Sequence, residues 1–236
     1  MIRLDKFLTD MNTGTRSAIK KEIRNGAVTV DGSIIKSPEY KVSEDSIITY
    51  KGQIISYQQY SYYMLNKPAG CISATKDTND STVLELLPVN LRKNVFPVGR
   101  LDKDTEGLLL LTDDGELAHN LLSPKKHVSK TYYVELEHAI ATNDITLLEQ
   151  GVDIGEKKLT LPSHIEQLTD TTLRITITEG KYHQVKRMFQ AVHNQVVYLK
   201  RISMGKLILD SLLPTGAYRV LTLEEINDLK EITGKV

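Results

Sequence analysis

The chain has 236 residues, long enough for a small domain followed by a larger one with its own apolar core. Its 30 basic and 30 acidic residues balance, so nucleic-acid binding would have to come from local clusters of basic residues. The single cysteine, Cys71, excludes an intramolecular disulfide framework, and no uncharged apolar run approaches the ~18 residues of a membrane span. We therefore expect a cytoplasmic protein without a membrane segment.

The first 52 residues have the pattern of a small independent α/β unit. Apolar residues recur at helical spacing from Ile2 to Leu8, and a second helix is predicted over residues 16–24, with Asn25 and Gly26 as its stop signal. Short strands are predicted at 28–30, 34–35 and 47–50.

Basic residues are concentrated in this first unit. Residues 1–24 contain six basic and three acidic side chains. Arg16, Lys20 and Arg24 are spaced at i, i+4 and i+8, so they lie near one face of the second helix. That face suits contacts with phosphates, although an ordinary solvated helix face has the same pattern.

A family resemblance helps to decide whether this helix face contacts phosphates or is an ordinary solvated face. The stretches RLDKFL and TRSAIKKEIRNGAVTVDG resemble the alpha-L motif, a small RNA-binding domain found at the front of several RNA-modifying enzymes. The resemblance implies that Arg3, Arg16, Lys20 and Arg24 face structured RNA.

After this unit, strand-like and helix-like segments alternate irregularly. Strands are predicted at 108–112, 131–136, 172–177 and 195–199. Helices are predicted near 115–122, 142–150, 183–192 and 222–232. This order predicts an α+β fold with a mainly antiparallel sheet. The predicted domains cover residues 1–58 and 59–236.

The segment GRLDKDTEGLLLLTDDG, residues 99–115, places acidic residues at both ends of four consecutive leucines. Residues 102–113 overlay a calcium-binding EF-hand loop, with acids at its first, third and fifth positions. However, Pro97 and Gly99 disrupt the helix that should precede such a loop, and apolar Leu110 stands where a ligand is usual. Calcium binding is therefore not our prediction.

A structural interpretation explains the second acidic pair, because Asp113 or Asp114 can cap the helix that begins near Gly115. It explains Arg100 and Asp102 less well. Two opposite charges beside a fully apolar strand are costly unless the carboxylate has a cationic partner or a chemical task. Asp102 is therefore a candidate nucleophile.

Four segments in order resemble the signatures of the pseudouridine synthases: YYMLNKPAG, GRLDKDTEGLLLLTDDGE, KTYYV and EGKYHQVKRMF. The resemblance is to the branch that modifies small-subunit ribosomal RNA and to its large-subunit relatives. It implies the pseudouridine synthase fold, a mainly antiparallel mixed sheet flanked by helices. The implied reaction breaks the bond from ribose to uracil N1, turns the base and rejoins it through C5, which requires no cofactor.

The same resemblance implies roles for individual residues. Asp102 is the expected essential carboxylate, Lys186 its cationic partner, and Tyr132 the ring that stacks on the target base. Leu199 is expected near the active site, and Arg100 is expected to support the displaced RNA. From the residue pattern alone, Tyr132 and Leu199 are equally typical of strand residues in an apolar core.

The predicted helix in EGKYHQVKRMF has a polar face with His183, Lys186 and Arg187. Residues 181–206 contain six basic and no acidic side chains, which favours an RNA-contacting wall over an ordinary solvated face. We include Gln184 of this motif among the predicted RNA-binding residues. The six histidines show no metal-ligand spacing, so we predict no metal.

We expect a monomer that acts on a single uridine of 16S ribosomal RNA in a partly assembled small subunit. The motif EGKYHQVKRMF and the absence of a long basic C-terminal tail favour the small-subunit branch. The alternatives are a synthase that acts on 23S ribosomal RNA and a non-catalytic RNA-binding assembly factor. The presence of Asp102, Tyr132 and Lys186 argues against the non-catalytic alternative.

Overall fold

The computed structural model describes residues 1–11, 13–43, 45–55 and 60–234. The chain divides into two compact units, Met1–Gln59 and Tyr60–Val236. The predicted domain boundary between residues 58 and 59 lies outside the described residues. Within the described ranges, every helix is too short or too polar to cross a membrane.

Two helices and short antiparallel strands form the first unit. The elements are α1 (Leu4–Asp10), α2 (Arg16–Arg24), β1 (Ile2–Arg3), β2 (Val28–Val30), β3 (Ser33–Ile34), β4 (Lys41–Val42), β5 (Ile48–Tyr50) and β6 (Gln53–Ile55). Strands β3, β2, β5 and β6 form one sheet in that order, and β1 pairs with β4. The helices and the sheet share one apolar core that includes Phe7, Ile23 and Ile48.

Local signals explain where the helices of this unit begin and end. The Thr15 side chain caps α2 by accepting a hydrogen bond from the backbone N–H of Ala18, and Gly26 follows the helix with a φ of 81°. The prediction that Ile2 belongs to the first helix is wrong. Ile2 and Arg3 are extended and pair with β4, so the helix begins only at Leu4.

The second unit contains four α-helices and nine strands among the described residues. The helices are α3 (Gly115–Leu122), α4 (Thr142–Gln150), α5 (Gln184–Ala191) and α6 (Leu223–Thr233). The strands are β7 (Tyr62–Lys67), β8 (Phe96–Pro97), β9 (Glu106–Thr112), β10 (Lys130–Leu136), β11 (His164–Gln167), β12 (Thr172–Ile177), β13 (Val196–Met204), β14 (Leu207–Ile208) and β15 (Tyr218–Val220).

One mixed sheet organises this unit. Its strand order is β11-β12-β10-β13-β9-β7-β15, with β8 attached to β9 and β14 attached to β13. The pairs are antiparallel except β13 with β9, which run parallel and place Arg201 opposite Gly107. The predicted α+β class with a mainly antiparallel mixed sheet is confirmed.

The four leucines lie on β9 near the middle of this sheet. Leu109 and Leu111 pack into the apolar layer that includes residues of α4 and α5, whereas Leu108 and Leu110 pack into the layer that includes residues of α3 and α6. A strand covered on both faces has no solvent side for polar residues. This double coverage explains the uninterrupted leucine run.

The acids that follow β9 are structural. Asp114 accepts a hydrogen bond of 2.9 Å from the backbone N–H of Leu117 and so caps α3, while Asp113 accepts one of 2.6 Å from the backbone N–H of Ser61. The seven residues of β9 separate this pair from Asp102, a distance of about 20 Å for an extended strand. This separation excludes the EF-hand interpretation, because one calcium ion cannot be held from both ends of the strand.

Candidate active site

The loop between β8 and β9 that carries Asp102 is fixed by its backbone. The hydroxyl of buried Ser73 accepts a hydrogen bond from the Leu101 N–H at 3.0 Å and donates one to the Leu101 carbonyl at 2.9 Å. The carbonyl of Asp102 accepts from the N–H of Thr105, which closes a turn. These main-chain contacts hold the loop at the start of β9 without using the Asp102 side chain.

Lys67, at the end of β7, supports the same loop from inside the protein. Its side chain is fully buried, and its Nζ donates to the carbonyls of Asp102 at 3.0 Å, Thr105 at 2.9 Å and Pro68 at 3.0 Å. Burial lowers the pKa of Lys67. Sequence reasoning missed this residue, although it is the charged residue that ends the apolar run YYMLNK.

The carboxylate of Asp102 lies between two side chains from the start of α5. His183 Nε2 lies 3.4 Å from Asp102 Oδ1, and Lys186 Nζ lies 3.5 Å from Oδ2. These distances exceed the ~2.8 Å of a strong charge-assisted hydrogen bond, so the carboxylate is electrostatically supported but still able to react. One quarter (25%) of the Asp102 side chain is exposed.

Lys186 is shared between two carboxylates. Its Nζ also contacts Oδ1 of Asp104 at 2.6 Å, and this hydrogen bond lowers the pKa of Asp104. Asp104 is largely exposed, whereas Lys186 is mostly covered. Asp104 therefore holds the ammonium group beside Asp102 from the solvent side.

His183 is held in an unusual backbone conformation just before α5. Its φ is 48°, in the left-handed region that non-glycine residues rarely adopt, and its ring stacks on Tyr182 at a centroid distance of 3.8 Å. Strain of this kind persists only where neighbouring structure enforces it. The stacked ring is thereby directed toward Asp102.

A cavity of about 710 Å³ opens beside these groups. Its walls come from the Asp102 loop, the sheet and the residues that lead into α5. The predicted site residues among its lining are Arg100, Asp102, Tyr132, His183, Gln184, Lys186 and Leu199. The cavity is large enough to admit one nucleoside.

The sheet provides a partly aromatic floor for this cavity. Tyr132 on β10 and Leu199 on β13 are 8% and 6% exposed, and they lie on neighbouring paired strands. Both belong to the apolar layer that α5 covers. A flat apolar ligand can therefore rest on this floor with the Asp102 carboxylate at the cavity wall.

Two predicted RNA-binding residues are engaged in internal contacts. Gln184 is 4% exposed, accepts a hydrogen bond from the Lys181 N–H and donates one to Glu179. Arg187 donates to Glu156 and to the carbonyls of Ile154 and Tyr182, and it is not among the residues that line the cavity. Roles in RNA binding stay a prediction for both residues.

The first unit contains a separate cationic cluster around Asp5. The Asp5 side chain is fully buried and contacts Arg3 at 2.9 Å, Arg16 at 3.3 Å and Lys20 at 3.7 Å. Burial raises the pKa of Asp5, but hydrogen bonds from Arg3 and Arg16 outweigh that effect and hold it at about 2. One carboxylate thus orients three partly exposed cations. Arg24, at the end of the helix α2 that carries Arg16 and Lys20, is exposed.

The described residues contain no group of three or more histidine, cysteine, aspartate or glutamate side chains that could hold a metal ion.

Comparison with known proteins places the two parts of the chain in known families. The RNA pseudouridylate synthase family matches residues 61–191, and the S4 domain matches residues 2–48. The uncharacterized RNA pseudouridine synthase YtzG of Bacillus subtilis is 50% identical, over 98% of this chain and 99% of that protein. Ribosomal small subunit pseudouridine synthase A of Salmonella typhimurium is 44% identical, over 95% and 98%, and that of Escherichia coli K12 is 43% identical over the same shares.

A crystal structure of a pseudouridylate synthase superimposes with a TM-score of 0.70 at 41% identity, over 97% of this chain and 100% of that one. Fold and cavity thus define an RNA-modifying enzyme with an S4 domain in front of its catalytic unit. The chain belongs to the RNA pseudouridylate synthase family. Both resemblances predicted from its motifs are confirmed.

Proposed function

We propose that this pseudouridine synthase isomerises one uridine of 16S ribosomal RNA, with Asp102 as the essential carboxylate. The observation that carries the proposal is the Asp102 carboxylate, held near His183 and Lys186 at the wall of a nucleoside-sized cavity. The choice of 16S RNA is supported by two relatives at 43% and 44% identity that are named as small-subunit enzymes.

In the proposed reaction, the target uridine leaves its helix and its base enters the cavity. Tyr132 stacks on the base and offsets part of the few kcal/mol lost by unstacking, and Leu199 limits the space beside it. Asp102 attacks the nucleotide or assists cleavage of the glycosidic bond. The ammonium group of Lys186, 3.5 Å from that carboxylate, provides a positive charge beside it as water leaves the cavity.

RNA beyond the target nucleotide is assigned to the basic surfaces. Arg100 is exposed at the cavity rim, where it can support the displaced strand. In the first unit, Arg3, Arg16, Lys20 and Arg24 are the proposed phosphate contacts, three of them oriented by Asp5. We expect a monomer that acts in the cytoplasm on a partly assembled small subunit.

The test is complementation followed by chemical mapping of pseudouridine in both ribosomal RNAs. A strain that lacks this gene receives the wild-type protein, Asp102→Asn, or the control Asp170→Asn, which makes the same substitution at an exposed position. Wild type and Asp170→Asn should restore one modified base in 16S RNA, and Asp102→Asn should restore none.

Each contrary outcome has a distinct meaning. Modification of 23S RNA by the wild type would overturn the choice of target but retain the enzyme. If Asp102→Asn restores the pseudouridine, Asp102 is not the essential carboxylate. If even the wild-type protein adds no pseudouridine while subunit assembly recovers, the chain acts as an assembly factor.

A further inference from the structure

The floor of the Asp102 cavity contains two cations that the proposed mechanism leaves without a role, Lys130 and Arg201. Lys130 is 8% exposed and donates one hydrogen bond, of 2.9 Å, to the carbonyl of Val128. Arg201 is 2% exposed and donates from Nε to the carbonyl of Leu108 at 2.8 Å. Within the described residues, neither cation has a carboxylate at ion-pair distance.

Unpaired polar atoms accompany these two charges. Among the described residues, three buried side-chain atoms have no hydrogen-bond partner, and two of them, Arg201 Nη2 and Thr105 Oγ1, belong to residues that line this cavity. Buried charges are normally paired, because an unpaired ion in a low-dielectric interior is destabilising. An electron-rich group bound in the cavity would offset this cost.

Lys130 remains a usable cation in this setting. Burial and, to a smaller extent, the nearby charge of Arg201 lower its pKa to about 8. At neutral pH, Lys130 is therefore still protonated in most molecules. Two positive charges thus belong to residues that line the cavity.

The sheet register places these cations around the proposed base-stacking residue. Lys130 and Tyr132 are two residues apart on β10 and so point to the same face of the sheet. Arg201 on β13 is the direct partner of Tyr132 across the strands. A base that stacked on Tyr132 would therefore have its edge near both cations.

We propose that Lys130 and Arg201 bind the carbonyl oxygens of the target uracil and stabilise the negative charge that it acquires when the glycosidic bond breaks. This inference rests on the proposed function, in which Asp102 acts in the same cavity. When the bond from C1′ to N1 breaks, its electron pair stays on the base and spreads from N1 onto the oxygens. The base then turns, C5 bonds to C1′, the C5 proton is lost and N1 gains a proton, so the composition is unchanged.

Pre-positioned cations suit this step because they need no reorganisation when the charge appears. Removal of one such group typically slows an enzyme by about 100-fold or more. This slowing should be smaller when the departing base is itself a more stable anion. A fluorine at C5 withdraws electrons, so 5-fluorouracil is a better leaving group than uracil.

The experiment compares single-turnover loss of the parent nucleoside in transcripts that carry uridine or 5-fluorouridine at the mapped target. Lys130→Met should slow loss of uridine by about 100-fold, but loss of 5-fluorouridine by only about 10-fold. Arg201→Met is the second variant and should show the same inequality. Lys158→Met is the matched control, because Lys158 is exposed and lies outside the cavity lining.

Thermal unfolding separates this role from a structural one. Replacement of an unpaired buried cation by methionine should leave the Tm of Lys130→Met equal to or above that of wild type. Equal slowing of both substrates, no slowing, or loss of folding in both variants would overturn the inference. If Asp102→Asn is inactive and the variants slow the loss of uridine and of 5-fluorouridine equally, only this inference fails. If Asp102→Asn is active, the proposed role of Asp102 fails instead.

Discussion

Replacement of Lys67 by methionine tests whether the Asp102 loop is held from within. Methionine has a similar length and no polar atom, so the change removes the ammonium group while it largely fills the same space. Three carbonyls, those of Pro68, Asp102 and Thr105, lose a donor at 2.9 to 3.0 Å, and the carbonyl of Lys103 loses a longer contact of 3.4 Å. All four belong to the segments that position the proposed essential carboxylate.

The expected magnitude follows from these contacts. A hydrogen bond to a charged group contributes about 1.5–3 kcal/mol, so three such bonds contribute roughly 4–9 kcal/mol. The ammonium group no longer has to be desolvated in the variant, which offsets several kcal/mol of that loss. We expect a net decrease of about 2–4 kcal/mol in the free energy of unfolding, or a Tm lower by about 5–15 °C for a unit of this size.

The assay combines thermal unfolding followed by circular dichroism with single-turnover pseudouridine formation below the lowered Tm. A shift of about 1 Å in the Asp102 loop should lower the rate by about 100-fold. Lys158→Met is again the control and should match wild type in both measurements. A Lys67→Met protein with unchanged Tm and unchanged rate would refute the reasoning, because the loop would then be held by other contacts.

Two further predictions concern the sheet and the first unit. In Gly107→Ala, the new Cβ would collide with the backbone carbonyl of Arg201, and the φ of 98° at this position is strained for alanine. Chemical denaturation should therefore show a decrease of about 3 kcal/mol in the free energy of unfolding. Gly115→Ala, with open space around the new Cβ, is the control and should be neutral. Because the pKa of Asp5 falls from 3.8 to about 2 on folding, its carboxylate should stabilise the first unit by about 1–2 kcal/mol after solvent screening. Hydrogen exchange of that unit should show this advantage above pH 4 and its loss as the pH falls toward 2; an Asp5→Asn protein as stable as wild type at pH 7 would contradict it.

Much of the catalytic unit could be predicted because its signals are local. The uninterrupted leucines indicated an apolar strand, and Asp113 and Asp114 were recognisable candidates for the helix cap that Asp114 provides. The motif resemblance brought Asp102, Tyr132 and Lys186 together, and the structure places all three at one cavity. These features depend on neighbouring residues or on short motifs, and both can be read along the chain.

The buried lysines could not be predicted with the same means. Lysine is almost never fully buried, so the residue type argues against the buried positions that Lys67 and Lys130 occupy. For Lys130 a signal did exist, since strand alternation in KTYYVEL places it on the same face as Tyr132. Arg201 reaches the cavity floor through the parallel pairing of β13 with β9, which joins segments far apart in sequence.

The manner in which the Asp102 loop is anchored has an evolutionary consequence. Lys67 and Ser73 bind main-chain atoms of the loop, and every amino acid supplies the same carbonyl oxygens. Exposed side chains such as Lys103 can therefore vary without displacing the reactive group. Descendants of one ancestral enzyme can in this way acquire new RNA targets by altering the rim, while the chemistry beneath it is inherited intact.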